Sequence, residues 1–423
     1  MDIPASARTR AASVKPADLE AVAHVLRRTG FGPFPGGVEA AAAQHSSIDG
    51  LIEARLAATP LPFVAPDGID GIQDEEPQAN EFFALQDAWI GRMTDDDAAL
   101  HEKLMWFWHA HFTTSVSKSS TIYCWRQLRL LHKHALGNFA ELTVEMCTDP
   151  AMLQWLDGSG STNPNPNENY ARELMELFTI GRGRYTEADV RAAAKAMAGW
   201  DAVPDQRAPF RNPAAVLTEP VEFMGVTAVH TPESIVGRIL EREETALFVV
   251  AKLARFLIGP GVPDTEIATW AATFRGSGYE IRPVVTAMFT SDGFRSAARS
   301  RPKHGIEWLC AVLRAADLEI PPSWQVQEWG QFPYWPLNVA GWPDRWLSAS
   351  SLYARTAFIT SRAVGGPDFN DARDPVTAAL HHCGLFDVAA TSRNALSEVW
   401  EVHGQNSQEL LRAALTVPEF AAA

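Results

Sequence analysis

The sequence contains no apolar run of the roughly 18 residues that a membrane-spanning helix needs. Its first twenty residues also lack the apolar stretch that a signal peptide uses. We therefore expect a cytoplasmic protein without a membrane partner. The four cysteines are scattered and form no CxxC pair, which favours reduced core residues over a disulfide or metal framework. Acidic residues outnumber basic ones, and the resulting net charge of −15 argues against general nucleic-acid binding.

The sequence also lacks the common short catalytic and binding motifs: it has no Walker loop, GxSxG, HExxH, EF-hand loop or dinucleotide fingerprint. We expect no cofactor and no metal. The sequence does show helical periodicity almost throughout, which predicts an all-α, multi-helix globular protein. Long irregular loops are predicted at 59–78 and 331–346, where Pro and Gly interrupt the pattern. Four prolines and short β-branched runs predict one small β-hairpin within 201–231.

Several helices can be bounded from their capping residues and apolar faces. Thr186 is predicted as the N-cap of a helix with an acidic first turn, and Gly30 as the glycine that ends the first helix. Further helices are predicted at 232–242, 244–258, 264–275, 279–290, 302–316 and 345–363, with two more in the last fifty residues.

The stretch "PNPNENYARELMELFTIG" (164–181) predicts a helix with one narrow polar stripe. Asn169, Arg172, Glu173 and Glu176 fall on one side at i, i+3, i+4 and i+7. The remaining positions are mostly apolar, so the helix is expected to be largely buried, and buried charges must be paired or used. A solvated face with a weak Arg–Glu pair is the alternative.

The start of this helix is predicted to combine Asn165 as N-cap, Pro166 at the first helical position and Glu168 in a capping box. Free N–H groups at such a start bind anions. Asn167 and Asn169 lie beside these groups, so they are candidate anion-binding or substrate-binding residues.

A second candidate segment is "WFWHAHFTTS" (106–115), whose aromatic residues predict a helix that is apolar on every face. On a helix, His109 and His111 project about 200° apart and cannot share one metal ion unless the helix ends between them. Each histidine is either a satisfied core residue or an acid/base group that reaches Glu173.

A third candidate segment is "PLNVAGWPDRWLSASSLYAR", in which Asn338, Trp342, Arg345 and Trp346 are predicted to form a loop over a pocket. Arg345 would bind an anion there. A packed loop without a ligand explains the same residues equally well.

Seven motifs in this order resemble the bacterial DUF1800 family, whose members are taken to be predominantly helical: "HVLRRTGFGP", "KLMWFWHAHFTTS", "HALGNFAELT", "DPAMLQWLD", "PNENYARELMELFTIG", "YTEADVRAAAKAMAGW" and "PLNVAGWP". The resemblance covers about residues 20–365 and implies a single helical domain over 1–423, with 366–423 as a C-terminal helical extension. The sequence departs from the family at 215–222, where "AVLTEPVE" replaces a common His-Asp pair.

The family resemblance also implies a partner, because DUF1800 members often stand beside sulfatase-like DUF1501 proteins. A subgroup without export signals resembles one subunit of the two-protein enzyme that forms the aziridine ring in azinomycin-type biosynthesis. There, an amine displaces a neighbouring sulfate ester. The expected substrate is accordingly an amine-bearing sulfated or phosphorylated small molecule, either free or presented on an acidic carrier protein.

Under this hypothesis, Glu173, His109, His111 or Glu176 takes the proton of the amine, because only the neutral amine is a nucleophile. Arg172 or Arg345 stabilises the departing anion. Two alternatives remain open: a non-catalytic scaffold that stabilises its partner, and a metal-dependent enzyme with His and Glu ligands. The 14 tryptophans also predict a hetero-complex, because tryptophan is enriched at interfaces.

Overall fold

The computed structural model describes residues 16–66, 69, 79–95, 99–202, 209–326, 329–342 and 348–423. Helices α1–α11 span Pro16–Arg28, Gly37–Gln44, Ile48–Ala57, Ala79–Thr94, Ala99–His111, Thr121–His134, Phe139–Met146, Pro150–Trp155, Glu168–Glu173, Glu187–Met197 and Pro232–Leu240. Helices α12–α22 span Glu243–Leu257, Asp264–Gly276, Ile281–Phe289, Asp292–Ser296, Gly305–Ala316, Ser323–Val326, Ala349–Thr360, Pro375–His382, Ala390–Val402, Ser407–Ala414 and Pro418–Ala421. The predicted mainly helical fold is confirmed.

Strands occur only in the predicted region of the described chain. β1 (Trp200–Asp201) pairs antiparallel with β2 (Phe210–Arg211), and β3 (Val221–Phe223) pairs antiparallel with β4 (Val226–Ala228). The single predicted hairpin is thus two very short antiparallel pairs. Of these strands, β3 packs against α10 and β1 against α8.

Two helices form the centre of the core. Every residue of α16 and nearly every residue of α5 is buried, as the aromatic-rich sequence of α5 predicted. Lys103 of α5 and Glu307 of α16 form a buried ion pair between them. Because both charges are buried, removing either partner would leave the other charge without full compensation.

Half of the 14 tryptophan side chains lie in the core, while Trp335 is exposed. The buried tryptophans are Trp89, Trp106, Trp108, Trp125, Trp270, Trp308 and Trp329. The tryptophan content therefore does not by itself require an interface, and the expected partner stays a prediction.

The last fifty residues contain four helices, α19–α22, where two were predicted. They pack against one another and attach to the rest through backbone contacts. The N–H of Lys303 donates to the carbonyl of Ala421 over 2.8 Å, and the N–H of Ala423 donates to the carbonyl of Arg301 over 2.9 Å. Among the described residues, no helix has both the length and the apolar character needed to cross a membrane.

Candidate functional site

The polar-stripe helix differs from its prediction at both ends. Its N-cap is Asn167, whose side chain accepts from the N–H of Asn169 over 2.9 Å, so the predicted cap at Asn165 is wrong. After Glu173 the α-helix becomes a π-helix, Leu174–Thr179, in which the N–H of Ile180 donates to Met175 over 3.0 Å. π-Helical turns are rare and frequent at functional sites. This turn is held by side chains from two other helices.

His111, the last residue of α5, is the first of these side chains. Its Nε2 lies 2.8 Å from the carbonyl oxygen of Phe178, so Nε2 carries the proton and donates it. Nδ1 then has a lone pair, and it has no hydrogen-bond partner among the described residues. Burial, reinforced by the nearby Lys252 charge, holds the pKa of His111 well below its usual value. His111 is therefore a neutral imidazole at physiological pH.

Lys252, on α12, is the second side chain that holds the π-helix. Its Nζ donates to the carbonyl of Leu177 over 3.1 Å and lies 5.2 Å from the centre of the Phe248 ring. The last carbonyls of a helix have no partner within the helix, so His111 and Lys252 satisfy two of them. Burial lowers the pKa of Lys252 to about 8.

Two cavities meet at Ala110, His111 and Lys252, which line both of them. The cationic cavity has a volume of about 310 Å³ and is walled by aromatic, proline and basic side chains, namely Phe107, Ala110, His111, Lys252, Arg255, Phe256, Pro260, Arg301, Pro302 and His304. The mixed cavity has a volume of about 400 Å³ and is lined by Ala110, His111, Glu176, Leu177, Arg182, Phe248, Lys252, Val339 and Ala340.

The wall of the cationic cavity contains three Lys or Arg side chains, Lys252, Arg255 and Arg301, and no carboxylate. Arg301 is held from behind by Glu307, with both guanidinium–carboxylate distances at 2.7 Å. His304 stacks on Phe256 with ring centres 5.3 Å apart, and burial lowers its pKa. A space lined by cations and apolar rings fits an organic anion.

The mixed cavity contains the carboxylate of Glu176. The Tyr185 hydroxyl donates to Glu176 over 2.8 Å, and Nε of Arg182 donates to the same carboxylate over 2.8 Å. The Arg182 hydrogen bond is the main reason that the pKa of Glu176 is lowered. Glu176 is thus a stable anion that can attract an ammonium group.

Arg172 and Glu173 do not make the contacts that were predicted from the sequence. Arg172 binds Glu187 with oxygen distances of 2.7 and 2.8 Å, and it lies 3.5 Å from Glu168. Within the described chain, no hydrogen bond or ion pair joins Glu173 to Arg172, His109 or His111, so the expected contact between Glu173 and a histidine is not found. Glu173 is half-buried, and burial raises its pKa, with the Glu176 charge adding to the effect.

His109 lies in a cage of aromatic rings away from both cavities. Its Nε2 accepts from the N–H of Tyr334 over 3.1 Å, and the rings of Trp89, Trp106 and Trp342 lie between 5.2 and 5.7 Å from its ring. Burial lowers its pKa to about 3. This environment fits the alternative of a core histidine. Across the described ranges, no group of three His, Cys, Asp or Glu side chains is placed to bind a metal.

The candidate asparagines hold backbone segments. The side-chain N–H groups of Asn167 and Asn169 donate to the carbonyls of Asp157 and Leu156 over 2.7 and 3.3 Å. Asn338 is exposed and accepts from the N–H of Ala340 over 2.9 Å within its own turn.

The other residues of that loop are placed only in part. Trp342 stacks on Trp106 with ring centres 5.2 Å apart, while Val339 and Ala340 line the mixed cavity. Arg345 and Trp346 fall outside the described residues. The three segments singled out from the sequence therefore do converge, with His111, Glu176 and Val339 around the mixed cavity.

Sequence reasoning missed the basic side chains of the cationic cavity. Lys252 and Arg255 are the only charged residues in "TALFVVAKLARFLIG" (245–259), and isolated cations in so apolar a helix were a usable signal. Arg301 and His304 had no comparable local signal, because they follow a helix end in an ordinary polar run.

The class of protein is thus a mainly helical domain with a cationic cavity and a mixed cavity that share a neutral histidine. The family described as "protein of unknown function (DUF1800)" matches residues 24–422. The chain belongs to this family. No curated protein and no solved structure matches the chain significantly.

Proposed function

We propose that the chain is a subunit of a heteromeric cytoplasmic biosynthetic enzyme in which a neighbouring amine eliminates or displaces a sulfate or phosphate ester, as in aziridine formation. Its partner would be a sulfatase-like subunit of the DUF1501 type. The supporting observation is the pair of cavities, one without a carboxylate and one containing Glu176, that meet at His111. A substrate with an anionic leaving group beside an amine has the same separation of charge.

The leaving group belongs in the cationic cavity. When the carbon–oxygen bond of an alkyl sulfate breaks, the bonding electron pair leaves with the sulfate, whose negative charge grows. Lys252 and Arg301 are fixed before the reaction by Leu177 and Glu307. Preorganised cations stabilise such growing charge most effectively. This assigns to Lys252 and Arg301 the role that the sequence suggested for Arg172 or Arg345.

The amine belongs in the mixed cavity, where the Glu176 carboxylate attracts its ammonium form. Attack on the adjacent carbon forms the nitrogen–carbon bond and requires the nitrogen to lose a proton. Neutral His111 lines both cavities and has a lone pair on Nδ1, so we assign it as the acceptor of that proton. Holding nitrogen and carbon in line within one site supplies much of the rate in such intramolecular reactions.

The test uses the chain, the sulfatase-like partner and their mixture with 2-aminoethyl hydrogen sulfate, with release of inorganic sulfate and of aziridine as readouts. We expect release only from the mixture. His111→Gln should lower turnover by roughly 100-fold or more, the usual scale for a general base.

His101→Gln is the matched control, because His101 also lies on α5 and its Nε2 is 2.8 Å from a carbonyl, that of His132. It lines neither cavity and should keep its turnover. If the partner alone is fully active, the chain is a scaffold. If both histidine variants lose activity equally, His111 is not the base.

A further inference from the structure

We infer that the protein has a second ligand site, which takes a small organic anion with an apolar body and is distinct from the cationic cavity. This arginine cavity has a volume of about 560 Å³, within the range of about 300–1,000 Å³ that is common for ligand sites. Arg301 and Pro302 line both this cavity and the cationic cavity, so that segment separates the two spaces. The inference does not depend on the proposed reaction.

The charge of the arginine cavity is the first argument. Arg299, Arg301 and Arg355 contribute to its wall, and no carboxylate side chain does. Two carboxylates that pair with arginines of this wall are each shared between two cations: Glu20 binds both Arg27 and Arg299, and Glu307 binds both Lys103 and Arg301. Each carboxylate thus neutralises only part of the positive charge around it. An anion in the cavity would stabilise the remainder.

The shape of the cavity is the second argument. Arg355 is only 4% exposed, and its guanidinium lies 5.4 Å from the centre of the Trp308 ring. A guanidinium stacked on an indole keeps a fixed orientation for bidentate binding of a carboxylate, phosphate or sulfate. Ile359, Leu415 and Val417 supply apolar walls. Because cationic and apolar surfaces are combined, the ligand is an amphipathic anion.

The rim of the cavity offers access and a place to block it. Leu352 lines the cavity, yet its side chain is 47% exposed. A larger side chain at this position can fill the entrance without disturbing the core, because substitutions at exposed positions change stability little.

The experiment titrates the full chain with hexyl sulfate by calorimetry, with hexan-1-ol, hexylammonium and inorganic sulfate as comparison ligands. A Lys252→Met background removes one of the three Lys or Arg side chains of the cationic cavity, and Lys252 does not line the arginine cavity. We expect hexyl sulfate still to bind in that background, and hexan-1-ol and hexylammonium to bind at least tenfold more weakly. Adding Leu352→Trp or Arg355→Met should weaken hexyl sulfate binding by at least tenfold.

Three results would overturn the inference: loss of all hexyl sulfate binding in Lys252→Met, equal binding of hexan-1-ol, or unchanged affinity after Leu352→Trp. Arg355→Met removes a buried charge and can impair folding. If that variant does not fold, the affinity of Leu352→Trp, which is altered only at the rim, decides whether hexyl sulfate binds in the arginine cavity. Arg355→Lys, which keeps the charge but not the planar fork, should give an intermediate affinity.

Discussion

Replacing Lys252 with methionine should stabilise the folded protein while weakening anion binding in the cationic cavity, which Lys252 lines. The folded state holds this ammonium in a poorly solvated position, which lowers its pKa from 10.5 to about 8. At about 1.4 kcal/mol per pKa unit, the charged form costs about 3 kcal/mol at neutral pH. Methionine has a similar length and no charge, so the substitution removes this cost.

The loss of one hydrogen bond opposes this gain in stability. Methionine cannot donate to the Leu177 carbonyl, which Lys252 reaches over 3.1 Å, and a lost hydrogen bond costs about 1 kcal/mol. The net expectation is a stabilisation of about 2 kcal/mol. With an unfolding entropy of about 2.1 cal/mol/K per residue, the melting temperature should rise by roughly 2 °C for this chain.

The predicted direction of this stability change can be checked by measuring how the stability of both proteins depends on pH. Between about pH 8 and 10.5, the folded wild-type protein loses the Lys252 proton while the unfolded chain keeps it. The stability of the wild type should therefore rise with pH in this window relative to the variant. The advantage of the variant should fall to zero within the window and reverse near its upper end, where only the lost hydrogen bond to Leu177 separates the two. Urea unfolding at several pH values measures the difference. Calorimetry with inorganic sulfate at pH 7 measures anion binding.

Lys103→Met is the matched comparison, because burial also lowers the pKa of Lys103 to about 8. Lys103 is paired with Glu307 and donates to the carbonyl of Gly30 over 2.6 Å. Its loss leaves part of a buried carboxylate uncompensated, which costs about 3–5 kcal/mol. If Lys252→Met destabilises the protein as much as Lys103→Met does, or leaves sulfate affinity unchanged, the reasoning about Lys252 is wrong.

Two further predictions concern Glu173 and His109. Glu173→Gln should change the melting temperature little, because Arg172 pairs with Glu187 and no charge is stranded. Turnover should also change little, because the proposed base is His111 and Glu173 lines neither cavity; a roughly 100-fold fall would instead make Glu173 the base. A sharp drop in melting temperature would contradict this. The pKa of His109 is about 3 in the folded state against 6.5 normally, so His109 should cost about 1.4 kcal/mol of stability per pH unit below 6.5. Urea unfolding at pH 7, 6 and 5 should show that the free energy of unfolding falls less steeply with decreasing pH in His109→Gln than in the wild type. An identical pH dependence in the two proteins would refute this prediction.

The helices were predictable where local signals define them. Thr186 is the N-cap of α10, as its sequence indicated, and in the structure it also forms a capping box with Asp189. α12 runs over Glu243–Leu257, within one residue of its predicted bounds. In each case the apolar face and the cap lie in the same short segment, so the information needed is local.

The π-helix was not predictable for the opposite reason. Its sequence has ordinary α-helical periodicity, and its last carbonyls are satisfied by His111 and Lys252, 67 and 75 residues away in the chain. The i to i+5 register thus depends on tertiary partners that no local window contains. Glu176 falls in this segment, so its placement beside the mixed cavity follows from the same distant contacts.

The candidate site could be predicted as a meeting of segments but not as an electrostatic arrangement. His111 and Glu176 were candidates because histidine and carboxylate stood in apolar helices, and both line the mixed cavity. The assignment of the anion to Arg172 rested on spacing alone. In the structure Arg172 pairs instead with Glu187 of α10. Pairing with this exposed carboxylate costs the guanidinium less hydration than pairing with a buried carboxylate would.

An acidic protein with cationic cavities discriminates between anions by size. The net charge of −15 repels any polyanion that approaches over a broad surface. Salt screens exposed charges beyond about 8 Å at physiological ionic strength. Within a cavity, Lys252 and Arg301 act at contact distance and in a less polar medium, where their attraction is much stronger. A small anion that enters the cavity therefore meets these local cations more strongly than the distant surface charge. A nucleic acid backbone, too large to enter, meets mainly the acidic surface.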